Sequence, residues 1–303
     1  MDRRAWTLLI VLAAIWGASY LFIKIGVRDM SPALIAWLRL ALAAIVLVPL
    51  AARRGALRAA RGVGAGWLGA LAITQVGAPF ILIGAAEQEI SSGLAGILVA
   101  STPLFTAVLA IWLDHEERSQ GLRLVGILLG LAGVALLLGV DLGGSGAELL
   151  GGFAVVAAGL CYSVGGFVAK RRIGAAAPLG VAAWVMVAAT ALLAPPALLS
   201  LPDEAPGIGP LAAVAVLGVV GTGIAFAIFY DLIGSIGPAR TWIVTYLAPA
   251  FAVAYGAIFL DEAITVSTLA GLALIIGGSY LAAGGSAEAD RAGERLAAAK
   301  APG

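Results

Sequence analysis

The stretch STPLFTAVLAIWLDHE at residues 101–116 is answered, 146 positions later, by LAPAFAVAYGAIFLDE at residues 247–262. Both are apolar runs that carry a proline and end on an acid, so Pro103 meets Pro249 and Glu116 meets Glu262. The same offset brings Lys24 onto Lys170, Pro32 onto Pro178, Gly77 onto Gly223, Phe80 onto Phe226 and Ile90 onto Ile236. Trp16 meets Tyr162, an aromatic for an aromatic. A one-residue adjustment then places Gly126, Gly133 and Gly139 on Gly271, Gly278 and Gly284. Any one of these pairs is a plausible accident in Gly- and Ala-rich helices; a common offset along the whole chain argues for a duplication.

Composition says what was duplicated. The 303 residues are 62% hydrophobic and 12% charged, against roughly 45–50% and 25% in soluble domains. Apolar runs broken by charge or Gly/Pro clusters predict ten spans, at about 5–26, 32–52, 64–84, 91–113, 122–139, 148–169, 178–199, 208–230, 238–260 and 267–283. The expected fold is therefore all-α and integral to the membrane. Its two five-helix repeats would cover residues 4–139 and 148–284, and a polar tail at 285–303 is expected to be disordered. Five is odd, so the second repeat must enter the bilayer the other way up, as in inverted-repeat transporters.

Charge supplies the orientation. With the N-terminus inside, one face receives Arg3, Arg4, Arg53, Arg54, Arg58, Arg61, Arg118, Arg123, Lys170, Arg171, Arg172, Arg291, Arg295 and Lys300, the other only Lys24 and Arg28. By the positive-inside rule both termini are cytoplasmic. A net charge of +1 gives no footing for nucleic acid. One histidine (His115) and one cysteine (Cys161) leave almost nothing for a metal site, and no cofactor is expected. Gly64-Ala65-Gly66-Trp67-Leu68-Gly69 spells a dinucleotide fingerprint but opens a membrane span with no strand before it, so nucleotide binding is not expected.

Candidate site residues follow from depth. Pro103 and Pro249 each remove a backbone donor and kink their helices. Ser101 and Thr102 beside one, and Thr245 and Tyr246 beside the other, can satisfy the freed carbonyls or a substrate. Pro79 adds a third interruption. Trp6, Trp67 and Trp112 lie near span ends as interfacial anchors, whereas Trp16 and Tyr162 are too deep for that role. Tyr20 lies one turn beyond Trp16; Trp242, Tyr246 and Pro249 share one face, Phe226 and Tyr230 another. Such rings line a cavity for an aromatic or apolar side chain, or pack helix against helix. Gln75 either bonds a substrate or bridges two helices.

Arg39 either snorkels or, being deeper from its span end, meets a carboxylate or a loop acid, and Lys24 either gates against Glu87 or Glu89 or snorkels. No carboxylate stands at the centre of a span, so facilitated movement is the simpler expectation than a proton relay. Gly126 and Gly130 suit close helix contact within a monomer, and a homodimer through the fifth and tenth helices stays open.

These residues resemble a known family. The Ala14-Ile15-Trp16-Gly17-Ala18-Ser19 opening, the Pro103 and Pro249 helices ending in Trp112-Leu113-Asp114-His115-Glu116 and Phe259-Leu260-Asp261-Glu262, and the Gly-rich closing helix of each half look like the EamA family of the drug/metabolite transporter superfamily, over about residues 4–284. The match is most similar to YddG-type exporters of aromatic and other neutral amino acids. The resemblance implies a bacterial inner-membrane transporter, not an enzyme, that exports small amphipathic metabolites by alternating access. Export of lipophilic cations is the alternative, although it needs an acid in the cavity. An intramembrane lipid-modifying enzyme is a more distant one, because no paired catalytic constellation lies at membrane depth.

Overall fold

In a computed structural model, residues 2–113, 122–141, 145–173 and 177–282 are described, and no strand occurs among them. The loop with Asp114, His115, Glu116 and Glu117, the side chain of Trp112 and the tail from 285 lie outside the described residues. The helices are α1 (Arg3–Gly26), α2 (Pro32–Arg53), α3 (Ala65–Glu89), α4 (Ser92–Val99 continued by Thr102–Leu113) and α5 (Leu122–Leu136 with a π turn at Leu137–Asp141). They continue as α6 (Gly146–Arg172), α7 (Pro178–Leu198), α8 (Ile208–Ile236), α9 (Pro238–Thr241 and Val244–Leu260) and α10 (Val266–Ala282). Eight runs are long and apolar enough to cross a membrane, and the apolar helices Val244–Leu260 and Val266–Ala282 are shorter.

Local chemistry sets the helix starts. Asp2, Ser31, Ser91 and Ser145 each accept a bond from a backbone N–H in the first turn of α1, α2, α4 and α6, which satisfies an otherwise orphaned donor. Two helices outrun the sequence reading. Helix α8 continues past Tyr230 to Ile236, and its Asp231 meets Arg4 of α1 at 3.6 Å. Helix α3 continues past residue 84 through Glu87, which is buried in its last turn.

Packing pairs α2 with α7, α4 with α9 and α5 with α10; α1 lies along both α8 and α9, and α6 along both α3 and α4. Close approach depends on glycine. A Cβ at Gly17 would stand 2.5 Å from the Phe251 Cβ and 2.8 Å from the Ala248 carbonyl. On α5 and α10, Gly126 and Gly130 abut Gly278 within the chain. Helices α3 and α8 each carry a π turn, Ala72–Gly77 and Val219–Ile224.

The proline helices differ from expectation. Helix α4 breaks at Ala100 and Ser101, so Pro103 opens a new segment, where its missing N–H costs no hydrogen bond. Helix α9 breaks at Trp242 and Ile243, upstream of Pro249, which stays inside the following segment. Trp242, expected on one face with Tyr246 and Pro249, falls in that break.

Candidate functional site

Arg39 organises the buried polar groups. It lies seven residues into α2, roughly 10 Å along the axis at 1.5 Å per residue, and is 7% exposed. Its Nε donates to Thr222 Oγ1 at 2.7 Å, and its guanidinium lies 3.6 Å from the centre of the Phe80 ring of α3. Thr222 lies in the π turn of α8 and donates in turn to the Leu217 carbonyl. Of the three Arg39 nitrogens, only Nε is held by a hydrogen bond among the described residues. The two terminal nitrogens are donors in the fork geometry that suits a carboxylate.

Aromatic hydroxyls lie around this cation. Tyr20 from α1 and Tyr162 from α6 both interact electrostatically with Arg39, and so does Glu87. The Tyr20 ring lies against Gly96 of α4, where an added Cβ would stand 3.3 Å away. Gln75, in the π turn of α3, donates Nε2 to the Tyr162 carbonyl at 3.1 Å, so it bridges α3 and α6.

A second cluster is purely aromatic. Trp16 meets Phe226 edge-on at 6.2 Å and Phe229 at 5.3 Å. Phe229 also touches Tyr230 and Trp242, both with centroids at 5.5 Å. Phe229 was not singled out in the sequence, although it occupies the centre of this chain of rings. Trp242 is 52% exposed and only borders it.

Several expected ligands are engaged elsewhere. Ser101 donates to Leu98, Thr102 to Val99 and Thr245 to Trp242, all main-chain carbonyls at the helix breaks. The Thr102 carbonyl accepts from Ser163 of α6. Tyr246 turns to α10, its hydroxyl donating to the Ser279 carbonyl at 3.4 Å. Pro79 is buried in the turn after the α3 π segment.

The end of the bundle where α3 stops and α4 starts is closed by two opposite charges. Lys24 of α1 donates to the main-chain carbonyls of Glu87 and Ile90 at 2.6 and 2.9 Å, covering the C-terminal end of α3. Glu262 accepts from Ser92 N at 2.7 Å, Gly93 N at 3.0 Å and Ser92 Oγ at 3.0 Å, covering the N-terminal end of α4. Each charge has the sign that the helix dipole favours. Asp261, at φ 55°, takes the left-handed conformation that turns the chain back so that Glu262 reaches Ser92. Lys24 thus meets Glu87 through its carbonyl and not its carboxylate. Toward the opposite end, a cavity of about 530 Å³ opens between α1, α2 and α8, bordered by Arg4, Arg53, Arg54 and Asp231.

Known proteins place this architecture. The EamA-like transporter family matches residues 4–139 and again 149–284. A probable amino-acid metabolite efflux pump of Escherichia coli K12 is 26% identical over 93% of this chain and 95% of its own length. The uncharacterized inner membrane transporter YedA of the same strain is 35% identical over 43% of this chain and 42% of its own. A crystal structure with 23% sequence identity superposes with a TM-score of 0.66, covering 93% of this chain and 97% of the other. The fold is shared with that structure, and the chain is a multi-pass membrane protein.

Proposed function

The chain belongs to the EamA-like transporter family, and on that premise we propose that it exports small amphipathic metabolites, neutral and aromatic amino acids foremost, across the bacterial inner membrane. Arg39 is the observation that carries this reading. A guanidinium 7% exposed, fixed through Nε and with its terminal nitrogens unengaged by hydrogen bonds among the described residues, is a receptor for an α-carboxylate. Tyr20, Tyr162 and the Trp16–Phe226–Phe229 rings then receive the side chain. The efflux-pump names of the full-length relatives support the same substrate class.

Transport runs by alternating access between two inverted halves, residues 4–139 and 148–284. Support comes from the double family match and from π turns at corresponding places in α3 and α8. Packing also supports it: exchanging each helix for the one five later turns α1–α8 into α6–α3 and α1–α9 into α6–α4, and leaves α2–α7, α4–α9 and α5–α10 as they are. With both termini cytoplasmic, as the basic residues argue, the Lys24 and Glu262 end is outer and closed. The cavity beside Arg4 and Arg53 then opens inward.

Export of lipophilic cations is a second reading, favoured by the buried Glu87; Arg39 in the same electrostatic neighbourhood opposes an added cation. Counterflow in proteoliposomes separates them. Trans-acceleration of labelled phenylalanine, competed by neutral amino acids and not by cationic dyes, is expected. Exchange of dyes with no amino-acid exchange would overturn the proposal.

A further inference from the structure

Glu87 is the one buried carboxyl whose oxygens have no partner among the described residues. It is 0% exposed, and both Oε atoms are sealed from solvent. Its surroundings contain the means to pair it, directed elsewhere. From α1, the Lys24 ammonium faces the carbonyls of Glu87 and Ile90, and the Tyr20 hydroxyl lies within electrostatic reach. From α2, Arg39 is held by Thr222 and Phe80. From α6, Tyr162 acts on Tyr20 and Arg39 one level farther from this end. Glu262, the other acid nearby, holds its three donors at the start of α4. Helix α4 itself carries no titratable side chain, and the neighbouring Glu89 is exposed.

An ionised carboxyl sealed without a partner is strongly unfavourable, and two events relieve it. A proton binds, or a cation arrives. In the closed arrangement Lys24 attracts the carboxyl through space but makes no hydrogen bond to it, because its two bonds go to carbonyls at the end of α3.

We propose that the Glu87 carboxyl is a proton-binding site whose occupation lets the outer end of the bundle close. While that end is open, a proton from outer water adds to one Glu87 Oε and removes the charge. Lys24 can then turn to the two carbonyls, and Glu262 can dock on Ser92 and Gly93. Opening reverses the exchange: the proton returns to outer water and the carboxylate is hydrated or paired with Lys24. The assignment of this end as outer, and the meaning of closure for transport, rest on the transporter reading; the proton site itself does not.

The linkage sign is fixed by this scheme. Closure binds a proton, so acid outside favours the closed form and alkali the open form. Val253 of α9 reports on it, being 8% exposed and facing Gly93 of α4 in the closed end. Val253→Cys in a Cys161→Ala background is pulse-labelled in right-side-out vesicles with a membrane-impermeant maleimide, without substrate. Rates are normalised to the denatured protein at each pH. The rate is expected to fall about tenfold as outer pH goes from about 8 to about 5, above the range in which a hydrated carboxyl titrates, so that closure there must take up a proton, and Glu87→Gln should hold it low throughout. A parent rate that ignores pH, or a Glu87→Gln profile that tracks the parent or stays high, overturns the proposal. Should Glu87→Gln fail to fold, the infrared spectrum of the parent decides. Acidification must then produce the C=O stretch of a buried carboxylic acid, and its absence is equally contrary. Neither readout uses a substrate, so a failure of amino-acid transport would appear separately.

Discussion

Arg39 and Thr222 lie 183 residues apart in the chain and 2.7 Å apart in space, the Nε of one donating to the hydroxyl of the other. The bond joins α2 to the π turn of α8 and leaves the rest of the guanidinium without a hydrogen bond among the described residues. Replacing Arg39 by Lys keeps a charge and loses the fork. The half-saturating concentration for phenylalanine in counterflow should rise by about tenfold or more, from the loss of one charge-assisted hydrogen bond. An amine lacking the carboxylate should show no such change.

Thr222→Val removes the acceptor while keeping the shape. The Arg39 Nε is then left without its partner in a buried position, a loss of about 1–3 kcal/mol. Thermal unfolding in detergent should shift down, and restoration by Thr222→Ser tests whether the hydroxyl is responsible.

Glu262→Ala should loosen the Lys24 end. Three hydrogen bonds at the start of α4 disappear, and the loss of such a cap costs about 0.5–2 kcal/mol. Maleimide labelling of Val253→Cys should accelerate, while Glu262→Asp, whose shorter arm retains the charge, should fall between.

Gly17→Ala tests the α1–α9 contact. Its Cβ would lie 2.5 Å from the Phe251 Cβ and 2.8 Å from a carbonyl oxygen, so the helices must separate at about 1–3 kcal/mol. Reduced monodispersity on size exclusion is expected, whereas Gly66→Ala, with open space around it, should behave as the parent.

Much of this was legible in the sequence, because long apolar runs and charge-marked loops are strong signals in a chain that must satisfy its backbone in lipid. The expected stretches are helical among the described residues, eight of them long and apolar enough to cross a membrane and two shorter. The depth of Arg39 was legible too, from its distance to the end of its span, and its side chain is buried. Glu87 was not: two residues from the end of α3, it reads as a loop acid, and only packing reveals that α1 and α6 cover it. Thr222 was equally silent, because a hydroxyl in an apolar helix gains its role from the π turn that aims it at α2. Phe229 escaped because the face counted through Phe226 and Tyr230 skipped it, although it touches both. For Tyr246, whose spacing left cavity lining and helix packing both open, the hydroxyl reaches the Ser279 carbonyl of α10.

In the proposed cycle an amino acid is held by its carboxylate at Arg39 as it crosses the bundle. Counterflow of labelled phenylalanine in proteoliposomes, compared between the parent and Arg39→Gln at equal reconstituted amounts, tests it directly. Robust exchange by the parent is expected, with loss of at least about nine-tenths of the initial rate at subsaturating substrate in the variant, the effect of about 1.4 kcal/mol. A variant that exchanges phenylalanine as fast as the parent would contradict it.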